Sequence, residues 1–387
     1  MNNVRVGIIG VGNMGSSHAK GLFEGKVKGA ELAAVCDSNA GRLTWAKETF
    51  GDKVKLFDNT DDFFKSGIID AVIIATPHYD HPVLAIESLK KGFHTLIEKP
   101  AGVYTKAVRE MNKVAEDSGL IFGIMFNQRT NPLYQKVREL IREGEFGEIK
   151  RVNWIITSWY RSQSYYNSGG WRASWAGEGG GVLLNQCPHQ LDLIQWICGL
   201  PKKVRSFMYF GKHHNIEVED DVTTFMEYEN GATGVFITAT ADTPGTNRLE
   251  ILGDKAKAVI ENGNLQFWKL RQSEREFNET YTGGFGEPEN WKCEIPVKGV
   301  ETAHMGVLNN WISGILSGTE LLAPGIEGIN GLTLSNAMHL SAWTNDWVEL
   351  DKLDEDLYYS LLQEKIKTSN YVKPTAKSIT LDVKGTH

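Results

Sequence analysis

The chain has 387 residues, with 41 Lys and Arg against 48 Asp and Glu and a formal charge of −7. At about 100–200 residues per domain, this length predicts two domains or three, large enough to bury a core without staples. Apolar content of 41% and charged content of 23% exclude a disordered chain, no apolar run reaches the roughly 18 residues of a membrane span, and the mild negative charge argues against nucleic acid as the main partner.

The N-terminus runs straight into Val4-Arg5-Val6-Gly7-Ile8-Ile9-Gly10, without the zones of a signal peptide, so a cytoplasmic protein is expected. Through residues 4–126, apolar runs at 4–10, 31–37, 70–76, 94–99 and 121–126 read as strands. They are rich in Val, Ile and Leu without strict alternation, as expected for strands covered on both faces. Helical patterns near 14–24, 41–50, 79–91 and 105–118 separate them. The alternation predicts a parallel, doubly wound α/β sheet.

Gly10-x-Gly12-x-x-Gly15, enclosing Asn13 and Met14, follows the first strand and opens the first helix. In that context Gly10 permits a tight turn, Gly12 lets a pyrophosphate approach, and Gly15 lets helix and strand pack closely. The helix N-terminus supplies N–H groups to the phosphates. Asp37 ends the second strand, 22 residues after Gly15, where a carboxylate accepts from ribose hydroxyls and repels a 2′-phosphate. NAD is favoured over NADP, a preference that nearby Arg42 weakens. Two later strand ends, Thr76-Pro77-His78-Tyr79-Asp80-His81 and Glu98-Lys99-Pro100, place polar groups where the nicotinamide half belongs. Lys99 reads as a site residue there; a plain surface lysine is the other reading.

In the middle of the chain, Trp154, Trp159, Trp171, Trp175 and Trp196 gather five of the 11 tryptophans. Residues 177–181 read Gly-Glu-Gly-Gly-Gly and lead into a helix beginning near 185–187, since Pro188 is tolerable only in a first turn. At about 100° per residue, Asn185, His189, Asp192 and Trp196 share one face, within about 60° of one another. Leu184, Cys187, Leu191 and Ile194 lie broadly opposite. A histidine suits proton transfer from an alcohol, Asp192 is placed to orient it or to pack, and Asn185 to bind hydroxyls. A polar face turned to solvent explains the same periodicity. The four cysteines, Cys36, Cys187, Cys198 and Cys293, have irregular spacing that reads as buried thiols rather than a zinc site or disulfide framework.

These residues together resemble the Gfo/Idh/MocA family of NAD(P)-dependent oxidoreductases. The resemblance rests on Gly10-x-Gly12-x-x-Gly15, Asp37, Ala75-Thr76-Pro77 followed by His81, Glu98-Lys99-Pro100, Arg129, Gly170-Trp171-Arg172, the glycines 179–181, and Asn185-x-x-x-His189-x-x-Asp192. It implies a Rossmann domain over 1–126, then an α/β domain over 127–387 with a large, mostly antiparallel open sheet that covers the substrate and mediates oligomerisation. By position, Lys99 resembles the family lysine that hydrogen-bonds the reacting oxygen, before a cis bond to Pro100, and His189 the acid/base. Asn185 falls where many members carry aspartate; an amide cannot take a proton, so His189 must do more. Cys187-Pro188 replaces the small residue common before the histidine.

Beyond a helix signal at 132–144, strand-like runs follow at 149–158, 203–211, 222–228, 232–240, 248–253 and 257–261, with turns such as Glu229-Asn230-Gly231-Ala232. Helices are expected at 326–347 and 354–367, then a polar tail, 368–387, that reads as an arm to another subunit. His213-His214 near Glu217, Glu219, Asp220 and Asp221 suggests a metal, but the resemblance implies a strand lead-in there, on which adjacent side chains point apart, and no metal is expected. Tyr160-Arg161, Tyr165-Tyr166, Trp171-Arg172 and Trp175 read either as packing or as a sugar platform, aromatic faces meeting C–H groups and arginines meeting hydroxyls.

The resulting expectation is an NAD-dependent dehydrogenase of a carbohydrate or cyclitol hydroxyl. His189 and Lys99 act, with Asn185, Arg129, Tyr160, Trp171 and Arg172 at the substrate, in a homodimer or homotetramer. Two alternatives stay open: a redox-neutral enzyme that retains NAD and oxidises a glycoside transiently, and a non-catalytic NAD-dependent sensor.

Overall fold

In the computed structural model, which describes residues 3–374, the first third of the chain forms six parallel strands. The elements are β1 (Val4–Ile9), α1 (Asn13–Phe23), β2 (Ala30–Cys36), α2 (Ala40–Phe50), β3 (Lys55–Phe57), α3 (Thr60–Lys65), β4 (Ala71–Ile74), α4 (Asp80–Lys90), β5 (His94–Ile97), α5 (Thr105–Ser118) and β6 (Phe122–Ile124). Both faces of the sheet are covered. Val6, Ile8, Ile73 and Leu96 pack into one core, and Ile9, Ile74 and Ile97 into another. That is why these strands carry unbroken apolar runs. The strand order β3-β2-β1-β4-β5-β6 reverses direction between β1 and β4. Such a switch point opens a crevice at the carboxyl ends of the strands.

The second sheet is built from β7 (Ile149–Ile156), β8 (Lys203–Phe210), β9 (Glu219–Glu227), β10 (Thr233–Ala239), β11 (Asn247–Gly253), β12 (Ala256–Glu261), β13 (Asn264–Leu270), β14 (Asn290–Cys293) and β15 (Val348–Glu349). Its order is β14-β13-β12-β11-β7-β10-β9-β8-β15, antiparallel throughout except where β7 and β10 run parallel. Alternation marks its strands: Val152, Trp154 and Ile156 point inward from β7. The remaining helices are α6 (Pro132–Arg142), α7 (Gln163–Asn167), α8 (Pro188–Cys198), α9 (Glu274–Thr280), α10 (Ala303–Ser317), α11 (Gly328–Thr344) and α12 (Glu355–Thr368).

Helix α10 is not foreseen from the sequence, and it does not belong to the second sheet. Val307, Leu308, Trp311 and Ile312 are buried with Val4, Val6, Ile8 and Leu96 in the core of the first sheet. Each such side chain contributes roughly 1.5–3 kcal/mol when buried. A cut at residue 126 therefore separates the two sheets but leaves the first without one of its covering helices. The strands 55–57, 264–270, 290–293 and 348–349 also escape sequence reading; three are four residues or shorter, and β13 is only partly buried.

Among the described residues no helix is long and apolar enough to cross a membrane, and no group of three or more His, Cys, Asp or Glu is placed to hold a metal. Asp220 instead accepts from the backbone N–H groups of Lys212, His213 and His214 and pairs with His214 Nδ1 at 3.0 Å. All four cysteines are free; Cys36 and Cys187 are buried, whereas Cys198 and Cys293 are partly exposed. The tail from 375 onward lies outside the described residues. Residues 369–373 run along the second domain: Ser369 Oγ donates to Glu217, and Lys373 Nζ to the Arg172 carbonyl at 2.8 Å.

Candidate active site

The glycine turn sits in the crevice beside β1. Gly10 has φ +86°, and a Cβ on Gly15 would stand 1.9 Å from the Gly10 carbonyl oxygen, so these two positions admit glycine alone. Beside Gly12, by contrast, nothing lies within 4 Å of where a Cβ would stand. Gly12 is the N-cap of α1 and offers no side-chain cap. The first N–H groups, at Asn13 and Met14, have no intrahelical acceptor and are free for an anion at the helix N-terminus. Asp37, just after β2, accepts from the N–H of Val11 and of Asn39, each at 2.8 Å. Its oxygens keep lone pairs for ribose hydroxyls. Arg42 lies in the first turn of α2. Thr76 Oγ1, after β4, is buried without a partner among the described residues. The donors, the carboxylate and the orphaned hydroxyl fit NAD.

At the nicotinamide end, Glu98 follows β5 and pairs with His18 of α1 at 2.6 Å. Burial alone would raise its pKa; the His18 hydrogen bond and charge, with His304 and Lys99 nearby, outweigh burial and hold it at about 2. Lys99 is half-buried, is joined to Pro100 by a cis bond, and donates from Nζ to the Asn185 carbonyl at 2.8 Å. Burial, then the charges of Arg172 and Arg161, push its pKa down against Glu98 and Glu178. His81, expected at the cofactor, is instead fully buried: Nδ1 lies 2.7 Å from the Pro100 carbonyl and Nε2 2.9 Å from that of Thr76. It ties the two strand-end loops together and has no nitrogen left for a ligand.

From the other domain, α8 points its first turn at Lys99. It begins at Pro188 with Cys187 as N-cap, one to three residues later than expected. Its residues from Pro188 to Ile194 are all buried, because α6 and α11 pack against it; the face carrying His189 and Asp192 is not a solvent face. His189 is 4% exposed and its Nδ1 has no partner among the described residues. Burial, then the charges of Lys99 and His304, depress its pKa well below that of a free histidine. Asp192 does not orient it. Asp192 accepts two bonds from Arg129, at 2.6 and 2.8 Å. Arg129 also donates to Glu327 and the Leu322 carbonyl, with its guanidinium over the rings of Phe126 and Trp196. It is fully buried. The expectation of Arg129 at the substrate gives way to a structural ion pair.

The tryptophan-rich stretch divides. Trp154 and Trp175 go to the core, and Trp196 lies beneath Arg129 and Arg138. Tyr160 is 53% exposed and does not join the site. The Trp171 ring meets that of His78 edge-on at 5.0 Å, and His78 Nδ1 lies 3.0 Å from the Glu178 carbonyl. Arg172 stacks over Trp171 at 4.2 Å and over Tyr165 at 4.8 Å, and Arg161 lies 5.2 Å from the same tyrosine ring. Arg172 Nε is buried and unpartnered among the described residues. Asn185 Nδ2 donates to Glu178, a site residue the sequence reading passes over among its glycines.

Residues 4–126 match the family described as an oxidoreductase family with an NAD-binding Rossmann fold, and residues 134–259 the GFO/IDH/MocA C-terminal domain. The chain belongs to the Gfo/Idh/MocA oxidoreductases. Within this family it is 30% identical to the rhizopine catabolism protein MocA of Rhizobium meliloti over 51% of this chain and 58% of that one. It is 23% identical to the levoglucosan dehydrogenase of Pseudarthrobacter phenanthrenivorans over 91% of this chain and 100% of that one. Among solved structures it resembles the WlbA dehydrogenase of Chromobacterium violaceum in complex with NADH and UDP-GlcNAcA. There the TM-score is 0.77 and the identity 28%, covering 92% of this chain and 97% of that one. The Gfo/Idh/MocA assignment makes this chain an NAD-binding oxidoreductase of the sugar and polyol dehydrogenase type.

Proposed function

We propose that the chain oxidises one hydroxyl of a carbohydrate or cyclitol, with His189 as the acid/base and Lys99 as the donor to the reacting oxygen. The observation that carries this reading is the bond from Lys99 Nζ to the Asn185 carbonyl at 2.8 Å, just before α8, with the Lys99 charge acting on the buried His189 imidazole from the other domain. NAD, when bound, takes up the hydride. Lys99 holds the substrate oxygen by hydrogen bond and stabilises negative charge on it. His189 is kept neutral by burial and by Lys99, so it can accept the hydroxyl proton. With Nδ1 enclosed, Nε2 is the atom left to take it. His189→Ala and Lys99→Met are expected to lower turnover about 10²–10⁴-fold while NAD binding, followed by fluorescence, persists. Near wild-type turnover in both variants would sink the assignment.

The wall of Trp171, Arg172 and Tyr165 supports a second reading, in which the substrate is a glycoside and NAD stays bound through a redox-neutral cycle. Protein that carries NAD through desalting and transforms glycosides without net NADH favours it. Self-association belongs to the proposal as well. Phe207 and Tyr209 of β8 are each 55% exposed, on a sheet face suited to a second copy in a homodimer or homotetramer. Sedimentation of Phe207→Lys against wild type tests this.

A further inference from the structure

Family resemblance places an aspartate where this chain has Asn185, yet a carboxylate still reaches that point, from Glu178. Glu178 is fully buried. One oxygen accepts from Asn185 Nδ2, and the other from the Ala173 N–H at 2.6 Å. A carboxylate accepts and cannot donate. Ionised Glu178 therefore draws the NH₂ end of the Asn185 amide toward itself and leaves Oδ1 for a partner outside the pair. The Ala173 bond is not negotiable, since a backbone N–H cannot turn into an acceptor. Ala173 also sits at φ +69°, a left-handed value that a non-glycine residue rarely adopts. A proton added to Glu178 must then lie on the oxygen facing Asn185. There it donates, and the amide has to rotate by half a turn to receive it on Oδ1, which puts Nδ2 outward.

We infer that Glu178 is a positioning residue that selects which end of the Asn185 amide is left for the reacting oxygen, Asn185 being the residue whose carbonyl receives Lys99 Nζ at 2.8 Å. Ionised, it presents Oδ1, an acceptor for an alcohol O–H. Protonated, it presents Nδ2, a donor to a carbonyl. This rests on the oxidation proposed above, in which the alcohol loses hydride to the cofactor and its proton to His189; the Glu178 proton is a separate one, exchanged with solvent. The groups facing Glu178 set where that exchange occurs. Burial pushes its pKa up to about 7, opposed by Arg172 and the two hydrogen bonds and reinforced by Glu219 of β9. Lys99 after β5, and Lys373 with Tyr371 in the C-terminal segment, also feel its charge, as does Tyr166 of α7, while His78 contacts its carbonyl.

The test compares the pH dependence of kcat/KM for oxidation and for the reverse reduction in wild type, Glu178→Gln and Asn185→Ala. Glutamine keeps an acceptor for Ala173 and offers a permanent donor to Asn185, mimicking the protonated acid at every pH. Wild-type oxidation should rise, and reduction fall, through pH about 7. In Glu178→Gln the oxidation limb should drop about ten- to hundredfold at alkaline pH, the size of one mismatched hydrogen bond. Reduction should stay within a few-fold and the near-neutral ionisation should vanish. Asn185→Ala has no amide to turn and should lose the same ionisation; it decides the matter if Glu178→Gln does not fold. An unchanged profile in a folded variant, or equal loss in both directions, overturns the inference. Wild-type protein inert on every sugar and cyclitol points to failure of the proposed function instead.

Discussion

Two buried carboxylates each lie within reach of an arginine beside α8, and the two pairs are built differently. Asp192 and Arg129 are closed: two hydrogen bonds at 2.6 and 2.8 Å, with Glu327 and two aromatic rings completing the guanidinium's surroundings. Glu178 and Arg172 are open. Arg172 forms no ion pair among the described residues; its charge reaches Glu178 while its plane is held by Trp171 and Tyr165. A closed pair satisfies itself and fixes how elements pack. An open pair keeps hydrogen-bonding capacity for something that arrives later. The difference separates an arginine that is consumed by packing from one whose guanidinium keeps unpartnered N–H capacity.

The contrast is sharpest in stability. Arg129→Met leaves Asp192 buried without its partner and is expected to cost about 3–5 kcal/mol, read from urea unfolding. Arg129→Met combined with Asp192→Leu should recover part of that loss. A cost below about 1 kcal/mol would place Arg129 with the functional arginines after all. Next in size comes pH. Because the folded value of Glu178 is raised to about 7 from an ordinary 4.5, the fold holds that proton when the unfolded chain has lost it. Its contribution is therefore fully present below pH 4.5 and lost as pH rises through about 7. Between wild type and Glu178→Gln, the difference in unfolding free energy should change by about 1–3 kcal/mol across that window. A flat difference would put the Glu178 carboxylate outside this account. Smallest is Arg172→Met, expected to change stability by less than about 1 kcal/mol while raising KM about tenfold, or about 1.4 kcal/mol of binding. If it unfolds the protein as Arg129→Met does, the open pair is closed in solution.

Much of this architecture was legible in the sequence. The glycine turn, Asp37 and the strand ends at Thr76 and Lys99 announce themselves, because parallel strands and phosphate-binding turns impose local patterns on the chain. Lys99 donates to the Asn185 carbonyl, and its charge reaches His189. Arg129, His81 and Tyr160 depart from expectation, and Asp192 takes the packing role of its two readings, because a residue's place in the sequence does not tell which partners the fold brings to it. Asp192 and Arg129 found each other across 63 residues. His81 found two carbonyls, and Tyr160 found solvent. Glu178 was missed because glycines surround it, and a lone acid in a loop carries no period. Helix α10 was missed because Gly306 and Gly314 weaken its local signal, although packing rescues it.

That helix sets a timetable for birth on the ribosome. The first sheet is complete in sequence by residue 126, but Val307, Trp311 and Ile312 arrive about 190 residues later. At about 5–20 residues per second the nascent sheet waits roughly 10–40 s with an apolar face uncovered. The chain thus emerges as a protein whose first-made part gains one of its covering helices nearly last.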